Sequence, residues 1–239
     1  MNISFSGKVV LVAGGTGGLG RAVSLAFLAE GAKVVVTYRR EAEFAALKET
    51  ANASSTWLEG YLVDVTDEAA TKELSASILT RHGSVNCLIN TVGGYAGGLK
   101  FWEMETKVFD SMLSLNLRSG YSLARAVLPV MLKQQHGSIV NVAAKAAFDH
   151  GAGASAYAAS KAASVAMMDS LAADVKGTGV RVNSVLPSII DTAANRQAMP
   201  KADFAVWPKP EEIANVILFL CSDMATVVHG AAVPVYGNS

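Results

Sequence analysis

The chain of 239 residues is 51% hydrophobic and only 17% charged, and its 20 Lys and Arg balance 20 Asp and Glu. A formal net charge of zero, with no basic block, argues against nucleic acid or an anionic membrane as partner, because both demand a positive footprint that displaces counterions. Two cysteines are too few for a disulfide scaffold, no apolar run reaches the ~18–20 residues that span a bilayer, and the first residues carry no signal h-region, so the expectation is one cytoplasmic domain over 1–239.

In chain order, short Val- and Ile-rich runs alternate with longer stretches of helical period. Strands are predicted at 9–13, 33–37, 57–63, 85–90, 138–142, 181–186 and 232–236. Helices are predicted at 18–30, 41–50, 67–81, 107–135 in one or two pieces, 155–176 and 210–221. This alternation builds an α/β fold, a doubly wound parallel sheet of about seven strands with helices on both faces. Gly31, Gly83, Gly137 and Gly177 stand where helices should stop. The stretches 93–100 and 188–209 read weakest, and in such a sheet both lie beyond the carboxyl ends of strands, where ligands bind.

The first strand runs into Gly14-Gly15-Thr16-Gly17-Gly18-Leu19-Gly20-Arg21 and then an apolar helix. Glycines let backbone approach a pyrophosphate, and the helix N-terminus offers free N–H groups and positive potential. The second strand ends Thr37-Tyr38-Arg39-Arg40, without the Asp or Glu that would hold a ribose 2′-hydroxyl. Arg39 there suits a 2′-phosphate, which favours NADP(H) and leaves NAD(H) open. The alternative is that the two arginines only solvate the start of the next helix. Asp64-Val65 ends the third strand; Asp64 could accept from an adenine amino group, or cap the helix near Asp67 together with Thr66.

Tyr157-Ala158-Ala159-Ser160-Lys161 sets a phenol and an ammonium four residues apart, on one helix face. A free Tyr titrates near pH ~10, so a neighbouring cation would make it a usable proton donor at neutral pH; the alternative is that the pair is simply part of a solvated helix face, where such spacing is common. His150 is either a ligand contact or solvated, Trp102 and Trp207 either pocket walls or lid packing, and Cys87 core. Four histidines without paired spacing give no metal site.

The glycine turn, Asp64-Val65, Asn90, Asn116, Tyr157/Lys161 and Pro187 follow the order of the short-chain dehydrogenase/reductase family; the resemblance covers essentially the whole chain. It implies a Rossmann fold with Tyr157 as general acid, Lys161 holding the nicotinamide ribose and lowering the Tyr157 pKa, and Asn116 carrying a relay water. It places the cofactor on Gly14, Thr16, Gly18, Leu19, Gly20, Asp64, Val65, Asn90, Lys161, Pro187, Ile190 and Thr192, to which the reading of the second strand's end adds Arg39. It also implies a homodimer or homotetramer, paired through the small and apolar residues of the Tyr157 helix.

Departures from the family pattern are Ala13, Thr91-Val92, which should cost only local hydrogen bonds, Ser188, and above all Ala144, where the family has the serine that donates to a carbonyl oxygen. Losing such a donor costs on the order of 10²–10³ in rate. A branch without that serine, the dihydropteridine reductases, is similar at 93–98, 144–149, Leu186-Pro187, Asp191-Thr192, Asn195-Arg196 and 199–204 with Trp207. This resemblance implies hydride transfer to a quinonoid dihydropteridine, a delocalised acceptor without an alkoxide to stabilise, with Tyr95, Ala144, Tyr157 and Trp207 around the substrate. Arg39 is a departure from the acid found after the second strand in the dihydropteridine reductases. The alternatives are a general 3-oxoacyl or small-ketone reductase and a non-catalytic dinucleotide sensor.

Overall fold

The strands form one parallel sheet, and a computed structural model describes it across residues 3–239. They are β1 (Val9–Ala13), β2 (Lys33–Tyr38), β3 (Leu58–Leu62), β4 (Cys87–Asn90), β5 (Gly137–Val142), β6 (Val180–Pro187) and β7 (Ala232–Val235), in the spatial order β3-β2-β1-β4-β5-β6-β7. Successive side chains of a strand point to opposite faces, and β1 shows the consequence: Val10 and Val12 enter one core, Val9, Leu11 and Ala13 the other.

The first core is closed by α1 (Gly18–Ala29) through Val23 and Phe27, α2 (Glu41–Ala51) through Phe44 and Leu47, and α8 (Pro210–Cys221) through Ile213 and Ile217. The second lies under α3 (Glu68–His82) through Leu74 and Ile78, α5 (Ser119–Gln134) through Leu123 and Val127, and α6 (Ser155–Asp174) through Met168 and Ala172. Cys87 is buried in the first core with Cys221, as its apolar strand predicts.

The sheet order reverses between β1 and β4, whose carboxyl ends are tied side by side: Thr91 N–H donates to the Ala13 carbonyl at 3.0 Å and the Thr91 hydroxyl to the same oxygen at 2.7 Å. A crevice opens at such a reversal in any doubly wound sheet, and Gly14, Thr16, Arg39, Asp64 and Val65 line it.

Several expected boundaries shift. Gly137 does not stop a helix; it opens β5, where a Cβ would strike Met131, and Gln135 takes the left-handed position at φ 54° instead. The predicted helix 107–135 is α4 (Thr106–Leu113) and α5 joined by a π-helical turn, Ser114–Arg118. β4 begins only at Cys87, because Val85 N–H is taken by the Gln134 side chain and the Asn86 side chain accepts from Val9 N–H. Within 188–209 lies a six-residue helix, α7 (Ala193–Ala198), too short to show a period.

Candidate active site

The glycine turn is built for close approach. Gly14 has φ 72°, where an L side chain is strained, and a Cβ at Gly20 would sit 2.1 Å from the Gly14 carbonyl oxygen. Thr37 accepts from Gly14 N–H at 3.0 Å, fixing the turn to β2. α1 then starts at Gly17 with no side-chain cap and no acid in its first turn, so its N–H groups face the crevice uncompensated.

Beside the turn lies an open cleft of about 480 Å³, lined by Gly14, Thr16, Arg39, Arg40, Glu43, Asp64, Val65 and Thr91 among others. A backbone-lined turn, a helix N-terminus and an exposed arginine around one cleft fit a dinucleotide phosphate chain. Leu19 is core. Thr192 caps α7 and reaches across, its Cγ2 2.8 Å from where a Cβ on Gly18 would lie, so Gly18 admits Thr192 to the mouth of α1. Pro187 ends β6, buried, and the Ile190 carbonyl accepts from Thr192 N–H and the Asn195 side chain.

Asp64 accepts from the backbone and hydroxyl of Thr66, which hold its carboxyl below the ordinary range, with Arg39 adding a smaller pull. The cap of α3 is Asp67, not Asp64. The Thr91 departure supplies hydrogen bonds rather than costing them: its hydroxyl lies 2.7 and 3.2 Å from the Ala13 and Gly14 carbonyls.

Asn116, on the π-helical turn, pairs both ways with Gly94: Gly94 N–H donates to Oδ1 at 2.9 Å and Nδ2 donates to the Gly94 carbonyl at 3.0 Å. Nδ2 also donates to Ser160 Oγ at 2.9 Å, and Ser160 donates to the Tyr157 carbonyl at 2.7 Å. The amide, buried to 2% exposure, therefore holds the loop after β4 against the Tyr157 helix. Asn90 is likewise internal: its amide donates to Asn141 at 3.0 Å, and its oxygen accepts from Val92 N–H. It is a strut under the site rather than part of the cleft wall.

Lys161, 5% exposed, donates from Nζ to the Val142 carbonyl at 2.9 Å. Burial lowers its pKa to about 8. Burial, and then the neighbouring Tyr95 phenol, raise Tyr157 to about 12. The expected depression of Tyr157 by Lys161 is thus not seen in the protein alone, where burial and the Tyr95 phenol set the shift. Gly93 is wedged between the two roles, since a Cβ there would lie 2.9 Å from Asn116 Oδ1 and 3.1 Å from Lys161 Nζ.

Tyr95 stands edge-on to Tyr157, ring centres 5.0 Å apart, and remains 69% exposed. Ala144 is buried just after β5, with no hydroxyl to offer. Trp207, expected at the substrate, is buried and packs on Phe204 with ring centres 5.0 Å apart, so it packs its own segment rather than walling a pocket. His150 and Trp102 are exposed. Among the described residues no three His, Cys, Asp or Glu are grouped as metal ligands, and no helix is long and apolar enough to cross a membrane.

Sequence reasoning missed Ser160, Gly93 and Glu43. Ser160 stood inside the quoted Tyr-to-Lys segment, where a hydroxyl one residue before the lysine could have been asked for its partner. Glu43 gave no signal, because its place depends on how α2 docks on the glycine turn.

The short chain dehydrogenase family model matches residues 8–203, and the chain belongs to this family of oxidoreductases. The 3-oxoacyl-[acyl-carrier-protein] reductase FabG of Thermotoga maritima is 32% identical over 240 residues, covering 97% of both chains. Dehydrogenase/reductase SDR family member 4 of Bos taurus is 32% identical over 244 residues, 97% of this chain and 87% of its own. A solved structure described as a short-chain dehydrogenase/reductase from Burkholderia xenovorans superposes with a TM-score of 0.91 at 34% identity, covering 98% of this chain and 96% of that one.

Proposed function

We propose that the protein is an NAD(P)H-dependent carbonyl reductase acting on a 3-oxoacyl compound or a related small ketone. The observation that carries this is the convergence of Tyr157 and Lys161 with the Asn116–Ser160 brace beside a cleft fitted to a dinucleotide. The 3-oxoacyl reductase name of the Thermotoga relative, matched over nearly its whole length, supports this reading over the pterin one. So does the way the dihydropteridine-like residues are spent: Arg196 pairs with Asp191 at 2.5 and 2.8 Å and lies over the Phe204 ring, and Asn195 binds the Ile190 carbonyl. They fold their own segment instead of facing a substrate.

A nicotinamide dinucleotide supplies the hydride when bound. Tyr157, held protonated by burial, gives its phenolic proton to the substrate oxygen as negative charge grows there. Lys161, anchored to Val142, is poised to hold a ribose hydroxyl and to replenish that proton. The Asn116–Ser160 brace orients the first turn of α6 and so the Tyr157 ring. Ala144 leaves the oxygen without the usual second donor, and the reduction is correspondingly slow. The pterin reading keeps two observations in its favour, an alanine at 144 and the exposed ring of Tyr95 beside Tyr157. Turnover of NADPH and NADH against a 3-oxoacyl thioester, a ketone panel and quinonoid dihydropterin tests the choice. Efficient turnover of the pterin alone rejects the carbonyl reading, and binding of NADPH with no turnover at all favours a sensor.

A further inference from the structure

No acid stands at the end of β2, where the sequence has Arg39 and Arg40, yet the structure brings one beside them from the first turn of α2. Glu43 accepts from the Thr16 hydroxyl of the glycine turn through Oε2 at 3.2 Å, and Arg40 binds its Oε1. All three residues line the same cleft as Arg39. Arg39, by contrast, has no side-chain hydrogen bond or ion pair among the described residues. Of two adjacent guanidinium groups, one is neutralised by a carboxylate that itself borders the space between the glycine turn and β2, where an adenosine ribose binds in a sheet of this kind.

Resting on the dinucleotide reading above, we propose that Glu43 is the specificity-determining residue that restrains affinity for a 2′-phosphorylated dinucleotide. Its charge would oppose a 2′-phosphate bound in this cleft, it engages Arg40, and its carboxylate would be an acceptor suited to an unmodified 2′-hydroxyl. The basic pair then discriminates less than two arginines would, and both dinucleotides can be used. The ion pair is largely exposed on the Arg40 side, and such pairs add little to stability, so variants at either residue should fold.

The test is calorimetric binding of NADPH and NADH, with 2′,5′-ADP and 5′-ADP as fragments, to the full chain and to Glu43→Gln and Arg40→Gln. Glu43→Gln should tighten NADPH about fivefold, the effect of one unit charge at about 4 Å in water-like surroundings, while NADH is unchanged or weaker, and the gain should shrink at high salt. Arg40→Gln, which leaves Glu43 uncompensated, should weaken NADPH by a similar factor and spare NADH. Equal changes for both dinucleotides in Glu43→Gln would show that Glu43 only props the glycine turn through Thr16, and an unaltered ratio in both variants would also overturn the proposal. If the wild type binds neither dinucleotide, the underlying reading falls and takes the proposal with it, an outcome distinct from an unshifted ratio.

Discussion

Lys161 reaches back from α6 to donate its Nζ proton to the Val142 carbonyl at the end of β5, at 2.9 Å. That bond anchors a buried cation at the sheet's carboxyl edge, and the burial, which drives its pKa down to about 8, leaves a signature in stability. Between about pH 8 and the unfolded value of about 10.4 the unfolded chain binds a proton at this site that the folded chain has lost, so unfolding free energy rises with pH there. Urea titrations should show wild type gaining on Lys161→Met over that window, with a limiting slope of about 1.4 kcal/mol per pH unit. A gap that stays constant or narrows as pH rises would contradict the assignment.

The Asn116 amide should matter first as a brace. Asn116→Ala leaves the Gly94 N–H and carbonyl and the Ser160 hydroxyl short of partners, and buried groups left unmade cost about 1–3 kcal/mol. Denaturant unfolding should register that loss, and kcat should fall because Tyr157 is no longer oriented, with dinucleotide Kd less affected. An unchanged midpoint together with a large kcat loss would instead indicate a direct relay role.

The approach of Thr192 to Gly18 predicts a rescue. Gly18→Ala places a methyl group 2.8 Å from Thr192 Cγ2, pushing the α7 segment away and weakening dinucleotide binding. Thr192→Ser removes that methyl and keeps the Oγ that accepts from Asn195 N–H, so the double variant should recover part of the lost affinity. If the double variant binds no better than Gly18→Ala alone, the two residues are not coupled.

On α6, Ala159 and Ala166 are exposed and Ala162, Ala163 and Met167 half-buried, a small apolar face that permits close helix approach. We expect a dimer or tetramer through it. Light scattering at micromolar concentration should give a multiple of 24.9 kDa, and Ala166→Arg should lower it; a monomer mass for the wild type would refute the expectation.

The sheet was legible because its strands are apolar runs between glycine turns, a pattern set by burial on both faces. Boundaries moved where one side chain competed with the backbone, as Gln134 does for Val85 N–H. Tyr157, Lys161 and the glycine turn could be picked out because each lies within one turn of one element, though the roles of Tyr157 and Lys161 come from the family resemblance and not from their spacing. Glu43 and the Asn116–Gly94 pair could not, because they join segments 27 and 22 residues apart. Trp207 misled because an aromatic in a weak segment reads equally as wall or as packing, and only its burial against Phe204 separates the two.

The central claim, that this is a carbonyl reductase with a weakened polarising site, turns on position 144. The decisive measurement is kcat of Ala144→Ser relative to wild type on a 3-oxoacyl thioester at saturating dinucleotide. A hydroxyl added there should meet the developing alkoxide and raise kcat by up to ~10²-fold. A ratio near one, from an enzyme that turns over quinonoid dihydropterin efficiently, would contradict the account.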